Sequence, residues 1–370
     1  MGSVPTQDPV TIVKDTVTAY MTSSDTPMVS VALYCDGQGQ TLGFPSDSEV
    51  GPELVFGIGS VTKVFTATML AYQCVGPQPQ KKLTDPVVNY LPASVGANGQ
   101  AIKSVLLGEL ATQTSSFPRD FAVEGKNTLF RDLPPTPDQI QWWTDWANDG
   151  PAGPDDECAG QCPGTCYQYS NWGFVTLGFA VADCNQTSGA GYNDLLQEYI
   201  TGPLGMSRTR CQVPKEWLAQ GYNKNNEPVY SVPGDLKSCG ADMLTFIEAS
   251  LGARSGVPQQ LQEAITLTHQ PQPWHGQLPA MGLAWQIPKQ TPTWRTKNGA
   301  TSQGGYSCFV GLVPSLTTGI AILTDKFGAG SGGPTALGVD ILNQLVAAQT
   351  GTPAAHLDTV DLREEVDDVP

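Results

Sequence analysis

Ser60 and Lys63 stand three residues apart at the start of a strongly apolar run, Ser60-Val61-Thr62-Lys63. Three residues is about one helical turn, so on a helix the hydroxyl and the amine share a face and can reach each other. Serine becomes a nucleophile when a neighbouring base takes its proton, and a lysine desolvated among Val61, Val64 and Phe65 can serve as a neutral amine base. A helix N-terminus at Ser60 would also favour negative charge developing there. Of the twelve lysines, only Lys63 has a serine three positions before it. The motif alone arises by chance about once in a chain of this length, and the competing reading is an N-capping serine beside an exposed lysine.

Two further groups could complete a site. Tyr169-Ser170-Asn171 lies in the loop before an expected helix at Gly173, and Lys297-Asn298-Gly299 lies on an expected strand leading into the turn at Gly304-Gly305. Each has a structural alternative. Tyr169 could be a buried aromatic whose hydroxyl finds a partner, Asn171 an N-cap for a helix near Trp172, and Lys297 one arm of a cross-strand charge pair.

Other chemistries have less support. With three histidines (His269, His275, His356) and no His-Glu-x-x-His, metal-dependent hydrolysis is poorly supported, and no Gly-x-Ser-x-Gly elbow points to a Ser-His-Asp esterase. Cys158, Cys162 and Cys166 are evenly spaced, but no second close pair of Cys or His follows to complete a zinc site. Loop disulfides are the expectation, and nine cysteines leave at least one outside intramolecular pairs. Gly328, Gly330 and Gly333 satisfy Gly-x-Gly-x-x-Gly between an apolar strand and a helix, yet no second strand with an acidic residue follows, so a connecting loop is expected. No cofactor and no metal are expected.

Taken together, Ser60-Val61-Thr62-Lys63, Tyr169-Ser170-Asn171 and Lys297-Asn298-Gly299 resemble the motif set of the serine β-lactamase and penicillin-binding protein superfamily, in the class C β-lactamase-like branch with its carboxypeptidases and esterases. Leu110-Ala111-Thr112-Gln113-Thr114-Ser115-Ser116 resembles that family's Leu-x-x-His-Thr-Ser-x stretch, and Met281-Gly282-Leu283-Ala284-Trp285 also fits, so the resemblance covers roughly residues 10 to 350. It implies an acyl-serine hydrolase in which Ser60 is acylated and Lys63 accepts or orients its proton. Tyr169, standing where class A enzymes have serine, would shuttle the proton to the leaving group and activate water. Asn171 would bond the substrate's amide side chain. Lys297 would steady the protonation states of Tyr169 and Lys63 and help bind a substrate carboxylate, with Asn298 and Gly299 also on the substrate side. The backbone N–H groups of Ser60 and Ala300 would form the oxyanion hole.

Three positions depart from the pattern. Asn298 replaces the usual Thr or Ser, Gln113 replaces the usual His, and Thr301-Ser302-Gln303 lengthens the turn after the strand. All leave the acylation machinery in place and bear on the substrate, which could be an amide, a lactam or an ester. The alternatives are an esterase or acyltransferase of the same fold acting on a secondary metabolite or peptide, and a slowly turning-over penicillin-binding sensor domain.

These residues need elements to hold them. Asp8-Pro9 followed by Val10, Val13, Val17 and Tyr20 reads as an amphipathic helix, Met28–Tyr34 as a strand with two short ones after it, and Ser60–Cys74 as an apolar helix. Helices are expected over Pro137–Trp146, Gly173–Cys184, Asp194–Ile200, Asp242–Leu251 and Gln259–Leu267, among Pro-, Gly- and Cys-rich loops. Extended segments follow at Met281–Ile287, Thr293–Ala300, Tyr306–Val313 and Thr318–Thr324, then a helix at Thr335–Ala348. The fold class is α/β: an antiparallel sheet flanked by N- and C-terminal helices, with an inserted all-helical lobe. Residues 8–75 plus 276–350 would form the sheet domain, 76–275 the helical lobe, and 351–370 an acidic tail, with the site expected in a cleft.

The composition sets outer bounds. The 370 residues hold 35 acids against 19 bases, a formal charge of −16, and the one charge run, Asp358–Asp368, is acidic, which excludes a nucleic-acid partner. No apolar run is long enough to span a membrane, and Met1-Gly2-Ser3 opens no signal pattern. Cysteine usage and the Asn185-Gln186-Thr187 sequon favour a secreted or periplasmic protein whose signal peptide is absent from this sequence. The expected partner is a small-molecule or peptide substrate, which can carry a carboxylate, bound by a monomer.

Overall fold

The computed structural model describes residues 7–24, 26–120, 135–146, 158, 160–182, 191–229, 235–273, 280–289, 291–301, 304–328 and 333–351. Met1-Gly2-Ser3, Cys184, the sequon at Asn185, His275, Ser302, Gln303, Gly330, His356 and the acidic tail lie outside them. The chain forms two compact units, one from described residues of 1–62, 204–257 and 286–370, the other from 63–203 and 258–285.

The first unit is built on an antiparallel sheet with α1 (Pro9–Ser24), β1 (Val29–Cys35) and β2 (Gln38–Phe44) at its start. Across the sheet the strands run β2, β1, Thr318–Thr324, Ser307–Val313, Arg295–Ala300 and Gln286–Ile287. Strand side chains alternate between faces, and Val29, Val31 and Leu33 meet Phe309, Ile320 and Ile322 in one apolar layer. Ile12, Val13 and Val17 of α1 and Leu337, Ile341, Leu342 and Leu345 of the Pro334–Thr350 helix close that layer. The i, i+4 recurrence in α1 puts these residues on one stripe. Asp8 starts that helix by accepting the Thr11 N–H at 3.0 Å. On the sheet's other face lies the Gly240–Ser250 helix, whose Ile247 packs against Gly319.

Among its described residues the second unit is built of helices and loops apart from the short strand Ala280–Met281. Its centre is the Asn171–Val181 helix, apolar nearly all round and therefore buried nearly all round. Trp143 stacks on Trp172 at 5.5 Å between ring centroids and donates its Nε1–H to Thr176 Oγ1 at 3.0 Å, which satisfies the one polar atom of a buried indole. Gln73 Nε2 donates to the carbonyl of Val181 at 3.0 Å, and the Thr66 and Tyr192 hydroxyls are 2.8 Å apart. The first bond ties α2 (Thr62–Cys74), from Lys63 onward, to the end of that central helix, and the second ties it to the Tyr192–Leu196 helix.

Two expected elements differ in detail. Met281–Ile287 is not one strand: Ala280–Met281 and Gln286–Ile287 are separate, with Ala284 left-handed at φ +64° between them. In between, the Gly282 N–H turns back to Trp285 O, while Leu283 and Ala284 donate to Thr268 and Ala111 at helix ends, so Leu283 and Ala284 are buried without ladder pairing. The helix expected from Gly173 begins at Asn171, because Ser170 rather than Asn171 caps it, its Oγ accepting the Gly173 N–H at 2.8 Å.

Candidate active site

In the first unit, Ser60 lies on the tight turn Gly59–Val61 that leads into α2. Several bonds pin this turn. Ile58 donates its N–H to Leu236 O at 3.0 Å, its carbonyl receives the Val61 N–H at 3.0 Å and the Cys308 thiol at 3.0 Å, and the Leu236 N–H donates to Thr62 Oγ1 at 3.0 Å. Burial holds the Cys308 thiol well above its ordinary pKa, with the charge of Lys297 acting the other way, so it stays a neutral donor.

The Arg295–Ala300 strand runs directly beside that turn. Gly59 is left-handed at φ +43°, and a Cβ there would overlap the backbone of Ala300. Both facts demand glycine. A Cβ on Gly299 would stand 2.8 Å from the Ser60 nitrogen and 2.9 Å from the Val61 nitrogen. Lys297 is opposite Val310, and Gly299 is opposite Cys308, so alternation puts Lys297 and Gly299 on the face that carries the Ser60 turn. Lys297 is 1% exposed. Asn298 is opposite Phe309, which places its side chain on the other face, and its buried Oδ1 has no hydrogen-bond partner among the described residues.

In the second unit, Lys63 is 1% exposed, which excludes the surface-lysine reading. Its Nζ donates to Asn171 Oδ1 at 2.8 Å and stands 4.8 Å from the centre of the Tyr169 ring and 5.8 Å from that of Phe174. A buried amine needs such partners, since removing it from water without them would cost several kcal/mol, on the order of the penalty for any buried polar group. Asn171 is engaged at both ends, its Nδ2 donating to Asp120 Oδ1 at 3.0 Å. Asp120 pairs in turn with Arg119 Nε at 3.6 Å, and the Arg119 guanidinium lies 5.3 Å from the centre of the Tyr169 ring. Lys63, Asn171, Asp120 and Arg119 thus form a polar chain around Tyr169.

The loop carrying Tyr169 is fastened as well. Cys158 and Cys166 form a disulfide, while Cys162 between them is an exposed free thiol. The loop disulfide expected from the spacing is present, and no cluster of His, Cys, Asp or Glu fit to hold a metal occurs among the described residues.

The structure therefore gathers Lys63, Tyr169 and Asn171 in one unit, and Ser60, Lys297, Gly299 and the Ala300 backbone in the other. Ser60 and Lys63 remain one turn apart along the chain. Arg119 and Asp120 were not legible as site residues, because only the fold reveals that the chain after Phe117 returns to Asn171. Gln113 gave a signal, as a departure from the Leu-x-x-His-Thr-Ser pattern.

The family model for beta-lactamase matches residues 13–344. The chain belongs to the beta-lactamase family. It is 27% identical over 363 residues to a beta-lactamase from Pseudomonas fluorescens, covering 85% of this chain and 93% of that one. It is 26% identical over 306 residues to the D-alanyl-D-alanine-carboxypeptidase/endopeptidase AmpH of Escherichia coli (strain K12), covering 75% of this chain and 73% of that one. Among solved structures, a class C beta-lactamase superposes with a TM-score of 0.75 at 21% identity, over 92% of this chain and 98% of that one. The chain is thus an acyl-serine hydrolase of the beta-lactamase fold.

Proposed function

We propose that this beta-lactamase family member hydrolyses an amide, lactam or ester through an acyl-enzyme on Ser60. The single observation that carries the reading is the buried Lys63, bonded to Asn171 and set against the Tyr169 ring, one helical turn after a serine on a pinned turn. Ser60 Oγ attacks the substrate carbonyl and Lys63 Nζ takes its proton. The backbone N–H groups of Ser60 and Ala300 receive the oxyanion, as the close approach of Gly299 to the Ser60 nitrogen supports. Tyr169 delivers a proton to the leaving group and then takes one from the water that attacks the ester. Lys297 contributes positive charge for a substrate carboxylate. These groups need neither metal nor cofactor.

The relatives named beta-lactamase and D-alanyl-D-alanine-carboxypeptidase/endopeptidase support a small molecule or a D-amino-acid peptide as substrate. A secreted or periplasmic location fits the Cys158–Cys166 disulfide, which persists in oxidising compartments. No helix among the described residues is long and apolar enough to cross a membrane.

Intact-mass measurement after exposure to a β-lactam and to a fluorophosphonate tests the chemistry. A single adduct is expected on the wild type and none on Ser60→Ala; equal labelling of both removes Ser60 from its role. A panel of a chromogenic cephalosporin, short nitrophenyl esters and D-amino-acid peptides then separates the substrate classes.

A further inference from the structure

Gln113 follows the Leu107–Ala111 helix and is one of the few non-glycine residues in the left-handed region, at φ +63°. In that conformation its two acceptors are taken by residues on either side of Tyr169. Its carbonyl receives the Gln168 N–H at 2.8 Å, and its side-chain Oε1 receives the Ser170 N–H at 2.7 Å. Gln113 is 2% exposed and Ser170 is equally buried, so water cannot substitute for the side-chain bond.

The surrounding bonds explain why one side chain can matter so much. Ser170 Oγ donates to Pro118 O at 2.6 Å while accepting the Gly173 N–H, so the residue after Tyr169 is fixed through both backbone and hydroxyl. Ahead of Tyr169, Gln168 Oε1 accepts the Cys158 N–H at 3.1 Å, and the Gly164 N–H donates to Thr114 O at 2.7 Å, so the disulfide loop is laid against the same stretch as Gln113. The Gln113 side chain thus ties down the N–H of the peptide unit that joins Tyr169 to Ser170.

We infer that Gln113 is a positioning residue for Tyr169: it holds the backbone on both sides of that tyrosine and so sets where the phenol stands. The inference rests on the proton-transfer role given to Tyr169 above. Gln113 acts through Tyr169 and does not touch substrate. Proton transfer needs donor and acceptor within hydrogen-bond reach, and a displacement of about 1 Å can cost on the order of 100-fold in rate. An uncharged amide suits this place, because a carboxylate at Gln113 would set an added buried charge beside the Lys63–Asn171–Asp120 chain.

The test is a double-mutant cycle. Gln113→Ala removes the acceptor, and Gln113→Asn keeps an amide and tolerates the left-handed backbone while drawing the acceptor back by one methylene. Each is made in the wild type and in Tyr169→Phe, with acylation and loss of the Ser60 adduct followed by single-turnover intact mass, which stays readable when steady-state rates are small. In the wild-type background, both variants are expected to lower kcat by about 10- to 100-fold with KM within about twofold. In Tyr169→Phe they should add less than about twofold, because nothing remains to be positioned. Leaving the buried Ser170 N–H unpaired should lower the melting temperature of Gln113→Asn modestly and to the same extent in both backgrounds, so the kcat loss that vanishes in Tyr169→Phe is what reports positioning. An unchanged kcat in Gln113→Asn, or equal losses in both backgrounds, overturns the inference while leaving the role of Tyr169 intact. Wild-type turnover by Tyr169→Phe alone overturns the role of Tyr169, and the positioning role of Gln113 with it.

Discussion

Gly299 lies against the backbone nitrogen of Ser60 so closely that a Cβ on it would stand only 2.8 Å away. Side-chain carbons do not approach backbone nitrogen to that distance, so any substitution pushes the strand and the Ser60 turn apart. We expect Gly299→Ala to slow acylation of Ser60 by about 100-fold or more, the size of effect seen when one oxyanion donor is lost. Fluorophosphonate labelling rates report it, and circular dichroism should show the fold retained. A labelling rate equal to wild type would mean that the close approach has no part in catalysis.

Asn171 and Lys63 can be separated by magnitude. A hydrogen bond to a charged group is worth about 1.5–3 kcal/mol, so Asn171→Leu should slow acylation by roughly 10- to 100-fold. Lys63→Met removes the base itself and should cost about 100- to 10,000-fold. Rapid-quench acylation rates order the two; a larger loss in Asn171→Leu than in Lys63→Met would assign the central role to Asn171.

The sheet and the outer helices were legible because periodicity carried them. Val10, Val13 and Val17 keep helical spacing, and Thr318–Thr324 is a strand at its expected bounds. The Met281–Ile287 segment misled because an apolar run cannot say whether its backbone donors go to a ladder or to helix ends. At the site, Ser60, Lys63, Tyr169 and Lys297 stood out by residue type and spacing. Gln113, Arg119 and Asp120 act through bonds to residues some fifty positions away, Gln113 to Ser170 and Asp120 to Asn171, and no local pattern encodes such a pairing. The sidedness of Asn298 and Lys297 became visible only from the register against Phe309 and Val310.

The Cys158–Cys166 bridge closes a short loop, for which chain entropy gives a stabilisation of about 2–3 kcal/mol. Replacing both cysteines by serine should lower the urea midpoint accordingly. Because Gln168 Oε1 holds the Cys158 N–H inside this loop, turnover should fall with it, and more than acylation does. Equal urea midpoints in the serine variant and the wild type would remove the bridge as a brace.

Two buried carboxyls should shape the pH dependence of stability. Asp325 lies wholly buried in the first unit, where its Oδ1 accepts the Met28 N–H at 2.9 Å and its Oδ2 has no partner among the described residues. Desolvation raises its pKa from 3.8 to about 7. Glu109, in the second unit, accepts the Leu106 N–H at 2.8 Å and is likewise raised by burial from 4.5 to about 7. In the folded protein each carboxyl keeps its proton up to about pH 7, whereas in the unfolded chain each releases it near pH 4. The unfolded state therefore binds fewer protons across that window, and stability falls as pH rises from about 4 to about 7, by at most about 1.4 kcal/mol per pH unit for each group, then levels off. The contribution is complete below the unfolded pKa and lost on passing through the folded one. Asp325→Asn and Glu109→Gln keep the acceptor but cannot ionise, so each should flatten its share of the slope and the double variant most of it. Urea denaturation between about pH 4 and about pH 8 measures this, and a slope unchanged in Asp325→Asn would mean that Asp325 is ionised in the folded protein.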